Sequence, residues 1–525
     1  MTAADKEARA APSPVVAPEQ REVVDFLGDP ASYSPPPASV QRSDTHGAHV
    51  FLAGDRAVKI KRAVRYDYMD FSTLERRRRF LERELEINKP AAPEIYCRVT
   101  AITRGSDGTL QVGGSGVPVE WALIMRRFEQ SQLLSKLAEA GALDTGLAKA
   151  LADAVLASHA AAPRLTERDS VKSFGAIIAE LAATFEAEES RLGRASPFGQ
   201  RAAHALERAR NVLALRAAGG FVRRCHGDLH LDNVVLWKGH PTLFDAIEFD
   251  EDMATIDTLY DLAFLLMDLD FRGARPAANG VLNRYLWRSG SLIDIDGLAA
   301  MPLMLGLRAA IRAMVRLQRA SLHQGPERQR DEKVAVAYHD AALRYLDPKL
   351  PRLLAVGGFS GTGKSTLAAA MAPRLDPSPG AVHLRSDLER KAIHGIGETE
   401  RLPDRAYTAQ SSERVYEIVA EKAAHALDAG HSVVVDAVYS APGERNAIRD
   451  VAQSRGIPFA GIWLEAATDV LVRRVDERTG DASDATAEVV RAQLARGAGE
   501  IDWMTIDASG SRDDTLRTAW SKLSN

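Results

Sequence analysis

LLAVGGFSGTGKST, residues 353–366, runs from a short apolar strand candidate straight into a glycine-rich turn and on into a helical stretch. Its Gly358-x-x-x-x-Gly363-Lys364-Ser365 spacing satisfies the phosphate-loop pattern in the strand-to-helix context that the pattern requires. Gly358, Gly361 and Gly363 let the backbone curl so that its N–H groups point at a phosphate, and the start of the following helix adds positive potential. Lys364 is placed to bridge phosphates and Ser365 to hold Mg²⁺; Ser360, Thr362 and Thr366 complete the expected nucleotide-binding set. ATP or GTP binding follows as the first expectation.

Outward from this loop, AVHLRS (381–386), SVVVDA (432–437) and FAGIWLE (459–465) are short apolar runs separated by helical stretches, which predicts a parallel sheet of βαβ units. Asp436 closes one of these strands, where an acid supporting Mg²⁺ belongs in such a fold. Asp387 follows another and forms Asp387-x-x-Arg390, so it is read as the acid that orients or receives the acceptor hydroxyl's proton, with helix capping as the alternative. Arg473, Arg474 and Arg478 lie beside a Gly-Asp turn and suit a lid that brings guanidinium charge to a transferring phosphoryl group, Arg478 being the one assigned to catalysis. GFSGTGKST, SDLER, VVVDA and the arginine-bearing lid together resemble the P-loop small-molecule kinases that include gluconate-kinase-like proteins, with kinship to zeta toxins and polynucleotide kinases. The resemblance covers about Leu353 to Leu523 and implies a five-stranded parallel sheet and phosphoryl transfer to a hydroxyl.

The first part of the chain reads differently. Alternating β-prone pieces with a Gly-Asp turn between Asp44 and Lys61 predict a hairpin, LERRRRFLERELEINK (74–89) predicts a helix, and residues 133–218 carry helical spacing. Cys225-His-Gly-Asp228-Leu-His-Leu-Asp-Asn233, followed by Asp245 at the end of PTLFD, has the spacing of a kinase catalytic loop: Asp228 to face the substrate hydroxyl, with Asn233 and Asp245 on Mg²⁺. CHGDLHLDNVVLW, FDAIEFD and LYDLAFLLMDL resemble the aminoglycoside phosphotransferase family over about Val23 to Leu346. That resemblance implies Lys59 of RAVKIK as the lysine contacting ATP phosphates, Glu84 as its helix partner, with Glu82 and Glu86 as alternatives, and Asp261 as a structural acid. HGAHVF departs from the family relatives among protein kinases, with one glycine in the nucleotide-covering loop.

At 525 residues the chain exceeds one hydrophobic core, and the motifs place a boundary at Pro348–Pro351. The expected architecture is a tail over 1–20, then an α+β, bilobal, protein-kinase-like domain of aminoglycoside phosphotransferase type over 21–348, joined to an α/β P-loop kinase domain over 349–525. The fused pair resembles bacterial bifunctional aminoglycoside phosphotransferase and ATP-binding proteins. Without a signal-like start or an apolar run approaching about 18 residues, a cytoplasmic protein off the membrane is expected. Cys97 and Cys225 make no disulfide or metal framework. A formal net charge of −4 speaks against a nucleic-acid-binding chain, and the run Arg76–Arg79 is read as a solvated face with Glu75, Glu82 and Glu84 as partners. The expected function is ATP- and Mg²⁺-dependent phosphorylation of small-molecule hydroxyls at two sites. The alternatives are that one half is an ATP-binding regulatory module, or that the C-terminal half is a 5′-hydroxyl polynucleotide kinase. Arg308, Arg312 and Arg316, with Arg319 near the same helix face, suggest an anionic acceptor for the first site, a solvated or acid-paired stripe being the alternative.

Overall fold

The computed structural model describes residues 16–524 apart from 46, 67, 68, 166, 167 and 479. The chain divides into two compact units, Met1–Ala274 with Leu303–Leu346, and Arg275–Pro302 with Asp347–Asn525. Arg275–Pro302, expected in the first domain, is thus part of the second unit. Residues 1–15 of the expected tail lie outside the described residues. Pro18–Gln20 form a 3-10 turn, and the buried Gln20 side chain bonds to Glu120, the Lys61 carbonyl and the Ala63 amide, so folded structure begins before the expected boundary at residue 20.

In the first unit the alternation read at 44–61 becomes β1 (Val40–Asp44), β2 (Ala48–Ala53) and β3 (Arg56–Lys61). Helix α1 (Leu74–Asn88) follows, then β4 (Tyr96–Arg104), β5 (Leu110–Val112) and β6 (Val117–Arg126). The antiparallel sheet runs β1-β2-β3-β6-β4-β5. Val58 and Ile60 of β3 join Phe51, Ile102 and Ile124 in an apolar cluster, so the two-residue period turns Lys59 and Lys61 to the opposite face. Thr73 caps α1 by accepting the Arg76 amide hydrogen, and the buried stripe of the helix is Arg77, Leu81, Glu84 and Asn88, spaced four, three and four. Arg77 pairs with buried Glu120 at 2.9 Å and donates to the Phe71 carbonyl. The solvated-face reading therefore holds for Arg76 and Arg78, which pair with Asp70 and Glu82, but fails for Arg77, whose partner is supplied by a strand that closes over the helix.

The hairpin β7 (Val234–Trp237) and β8 (His240–Leu243) leads to α2 (Thr258–Phe271), which is buried on every side through Leu269, as a central core helix is. Beyond it lie α3 (Arg275–Ser289) and α4 (Met301–Ala320). The helical stretch Leu292–Ala320 is long and apolar enough by composition to cross a membrane, although charged residues interrupt it, and it is mostly buried inside the fold.

The second unit is built on β9 (Leu353–Gly358), β10 (Val382–Arg385), β11 (Val433–Asp436), β12 (Phe459–Glu465) and β13 (Met504–Asp507), all parallel and ordered β10-β11-β9-β12-β13. β9 and β11 are buried along their whole length, which explains their unbroken apolar runs. Helix α3 covers the open edge of this sheet through hydrogen bonds. Asn279 donates to the Ala381 carbonyl at 2.9 Å, Asn283 accepts the His383 amide hydrogen at 2.7 Å, and Trp287 donates to the Leu388 carbonyl. Arg275 donates to the Pro373 carbonyl at 2.7 Å. These bonds are the physical reason the segment parts from the sequence-based boundary.

Candidate active sites

The first unit's site grows from a loop that cannot form without its glycine. Gly227 has φ +84°, and a Cβ there would sit 3.0 Å from Ile247 Cδ1 and 3.3 Å from Ala254 Cα. Asp261 of α2, backed by His159, accepts the amide hydrogens of His226 and Gly227 at 3.2 and 2.9 Å, and Asp268, about two turns further along the same helix face, accepts that of Leu231 at 3.0 Å. The loop is thereby pinned to the core helix at both ends. Asp228 receives the Asn233 side-chain amide at 3.0 Å and lies 3.3 Å from His230 Nε2. Burial alone would raise the Asp228 carboxyl, but His230, Arg312 and His226 outweigh it and hold it well below the usual carboxylate range. Burial likewise opposes charge on His230, and Asp228 overcomes this and lifts the imidazole above its ordinary value.

Asp245 follows β8 with φ +61°, an uncommon conformation for a residue with a side chain, fixed by its N–H donating to the Tyr96 hydroxyl and by the Ala246 N–H donating to Asn88. Lys59 reaches Asp245 at 2.9 Å and Glu84 at 2.7 Å. Burial works against the Lys59 charge, yet Asp245, Glu84 and Glu248 push its pKa well above the ordinary value. Among the three glutamates left open, Glu84 is the one that faces the sheet: it is 0% exposed, whereas Glu82 pairs with Arg78 and Glu86 with Arg83 at the surface. Lys61 and Glu248 were not anticipated. Lys61 binds the other oxygen of Glu84 at 2.6 Å and also pairs with Glu248, and the K-I-K spacing in RAVKIK was the available signal.

In the second unit Gly358 has φ +138°, and a Cβ would lie 2.6 Å from the Leu464 carbonyl, so β9 can turn into the loop only with glycine there. Lys364 donates to the Phe359 carbonyl at 3.0 Å, and the Ser360 N–H donates to Gln493 at 2.8 Å. Ser365 donates to Asp436 at 2.7 Å, joining the loop's hydroxyl to the acid on the neighbouring strand. Asp436 also meets His383 at 2.6 Å; burial would raise this carboxyl, but His383, Arg385 and Ser365 bring it below its ordinary value. Burial lowers the Lys364 amine, opposed by Asp387 and Asp436. His383 and Arg385 were missed because an alternating strand, not a motif, carries them.

A cleft of about 2020 Å³ opens over the loop, and Gly361, Thr362, Gly363 and Thr366 line it together with Asp387 and Arg478. Arg390 also lines it and is held by donating to the Ala406 carbonyl at 2.7 Å and to Ser412. Arg478 holds the loop after it by donating to the Ser483 and Ala485 carbonyls, and Arg474 donates to those of Ser509 and Gly510. Arg473 is exposed.

Comparison with known proteins matches residues 52–301 to the phosphotransferase enzyme family and residues 353–498 to an AAA domain. The chain is 33% identical over 493 residues to the uncharacterized protein Rv2004c of Mycobacterium tuberculosis H37Rv, covering 91% of this chain and 94% of that one. The chain belongs to this two-domain phosphotransferase–AAA family. Its C-terminal part is similar to a gluconokinase from Sinorhizobium meliloti 1021, at 22% identity and TM-score 0.26, covering 34% of this chain and 93% of that one. The N-terminal part is similar to a choline/ethanolamine kinase family protein from Mesorhizobium loti, at 14% identity and TM-score 0.37, covering 62% and 98%. The chain joins a phosphotransferase-family domain to an AAA-type phosphate-loop domain with a five-stranded parallel sheet.

Proposed function

We propose that the protein carries two ATP-dependent phosphotransfer sites, each moving the γ-phosphate to a hydroxyl of a small metabolite. The observation that carries this reading is a repeated convergence: Lys59 with Asp245 and Asp228 in one unit, and Lys364 with Asp436 and Asp387 in the other. Asn233 with Asp245, and Ser365 with Asp436, offer the hard oxygen donors that suit Mg²⁺, which when bound neutralises phosphate charge. Asp228, held ionised, accepts the proton of the acceptor hydroxyl as its oxygen bonds to the γ-phosphorus. The bond from that phosphorus to the bridging oxygen breaks, and ADP leaves. Asp387 takes the corresponding part in the second site.

A second reading, a 5′-hydroxyl polynucleotide kinase in the second unit, has one observation in its favour: Tyr407, exposed in the cleft, lies 5.3 Å from the Arg390 guanidinium and could stack a base. Acids also line that cleft, including Asp387, Glu413 and Asp484, and this favours a compact acceptor over a polyanion. The test is ATP consumption by the full chain against hydroxyl compounds and 5′-hydroxyl oligonucleotides, with Lys364→Ala silencing one site and Asp228→Asn the other. Each variant is expected to keep one acceptor specificity. Absence of nucleotide binding at either site overturns the two-site reading.

A further inference from the structure

The four arginines of α4 have different fates. Arg308 is buried, donates to the Gly227 and Tyr260 carbonyls, and lies 3.9 Å above the Tyr260 ring, so it braces the catalytic loop. Arg316 and Arg319 pair with Asp331 at 3.1 and 3.3 Å. Arg312 is one turn beyond Arg308 on the same helix face, which carries it from Gly227 toward Asp228 and His230. Its guanidinium lies 5.9 Å from the centroid of the Tyr338 ring, and among the described residues no carboxylate forms an ion pair with it.

The acids around Arg312 are already engaged. Asp268 pairs with Arg272 at 2.9 Å and accepts from Leu231, Asp232 pairs with Arg272 at 3.2 Å, and Asp228 is matched by His230. Arg312 is therefore a surplus cation beside the catalytic carboxylate. A guanidinium desolvated against an aromatic ring and lacking a carboxylate gains most from an incoming oxyanion, which it can grip with two parallel hydrogen bonds. A cationic acceptor would meet repulsion there.

We infer that the first site takes an acceptor bearing a carboxylate or phosphate group beside its reactive hydroxyl, and that Arg312 binds that oxyanion. This rests on the phosphotransfer reading of the site. The role is narrower than the sequence suggested, because Arg316 is committed to Asp331. With the anion held on Arg312, its hydroxyl is presented to Asp228 without the two negative charges meeting unscreened.

The experiment uses the full-length chain carrying Lys364→Ala, so that turnover reports the first site alone. Hydroxy acids such as glycerate and gluconate form one series, sugar and polyol phosphates a second, and neutral polyols with amino sugars a third. Turnover is expected in one of the first two series, which also tells carboxylate from phosphate. Adding Arg312→Ala should raise the acceptor KM about 10- to 100-fold, the loss of a charge-assisted bond, with the ATP KM unchanged and Arg312→Lys recovering part of it. Titration of both anionic series onto the chain saturated with Mg·ADP repeats the comparison without chemistry. Turnover confined to the third series, an unchanged acceptor KM in Arg312→Ala, or no binding from either anionic series overturns the inference. A chain that binds no Mg·ATP at this site fails at the phosphotransfer reading instead.

Discussion

The two candidate sites are assembled by opposite construction. In the second unit a contiguous loop forms most of the site, with glycine-permitted turns from Gly358 to Ser365 and two acids at the ends of neighbouring strands, Asp436 and Asp387. In the first, charged side chains are wired together from far along the chain: Lys59 meets Asp245 across 186 residues, and Lys61 meets Glu248 across 187. A backbone-built site depends on local geometry, whereas a side-chain-built site depends on the fold around it. Damage should accordingly separate function from stability in one unit and join them in the other.

The largest effects should follow removal of the reacting groups. Lys364→Ala should lower second-site turnover about 10³-fold or more, the scale of losing a positioned charge, while its unit melts normally and the first site still binds Mg·ATP. Asp228→Asn and Asp245→Asn should both stop first-site transfer by a similar factor, but only Asp245→Asn should greatly weaken Mg²⁺-dependent ATP binding in calorimetric titration. Equal losses of affinity would erase the distinction between an acceptor-facing and a metal-facing acid.

Next comes the wiring itself. Glu84→Gln leaves Lys59 and Lys61 without their shared buried carboxylate and should cost the first unit about 3–5 kcal/mol in denaturant unfolding, against under about 0.5 kcal/mol for Glu82→Gln or Glu86→Gln. A small Glu84 effect would remove the contrast between the units.

In each unit one buried histidine is driven down to about 4, His339 in the first and His431 in the second, and these sharpen the comparison under acid. Burial, aided by Arg194 for His339, lowers His339 and His431 from 6.5 to about 4. Between pH 6.5 and 4 the unfolded chain binds the proton that the folded one refuses, so stability falls as pH falls, by up to about 3 kcal/mol per histidine, and neither group contributes a slope above pH 6.5. His339→Gln should reduce the acid slope of the first unit's transition only, to which buried His49 and His226 also contribute, and His431→Gln that of the second only.

A smaller loss is expected from Asn283→Leu. This residue falls inside the matched phosphotransferase stretch, yet should cost the second unit about 1–3 kcal/mol, because it strips a partner from the edge-strand amide of His383. A loss registered in the first unit's transition would contradict the placement of α3 in the second unit.

What could be read in advance followed the same contrast. Gly358 to Ser365 and Asp436 were legible because their chemistry is written in adjacent residues and a strand end. Glu84 could not be told from Glu82 and Glu86, because the stripe that settles it, Arg77–Leu81–Glu84–Asn88, is polar in three positions of four and gives no apolar period. Arg77 looked solvated since its partner Glu120 lies 43 residues away. Helix α3 gave no sign of its destination, as the polar side chains that tie it to the sheet edge bond to backbone 98 to 102 residues away. The fifth strand, Met504–Asp507, is short and half-exposed, and only the family resemblance implied it.

The attachment of α3 bears on how the protein is made. Asn283 leaves the ribosome 100 residues ahead of His383. At roughly 5–20 residues per second, the helix waits about 5–20 s for the strand it covers. During that interval the nascent chain holds a finished helix whose partner does not exist, while the sheet it belongs to is still being synthesised. Splitting the gene at the visible seam between the motifs would therefore deliver a first product carrying an orphaned helix and a second with a bare sheet edge, open to pairing with another copy of itself.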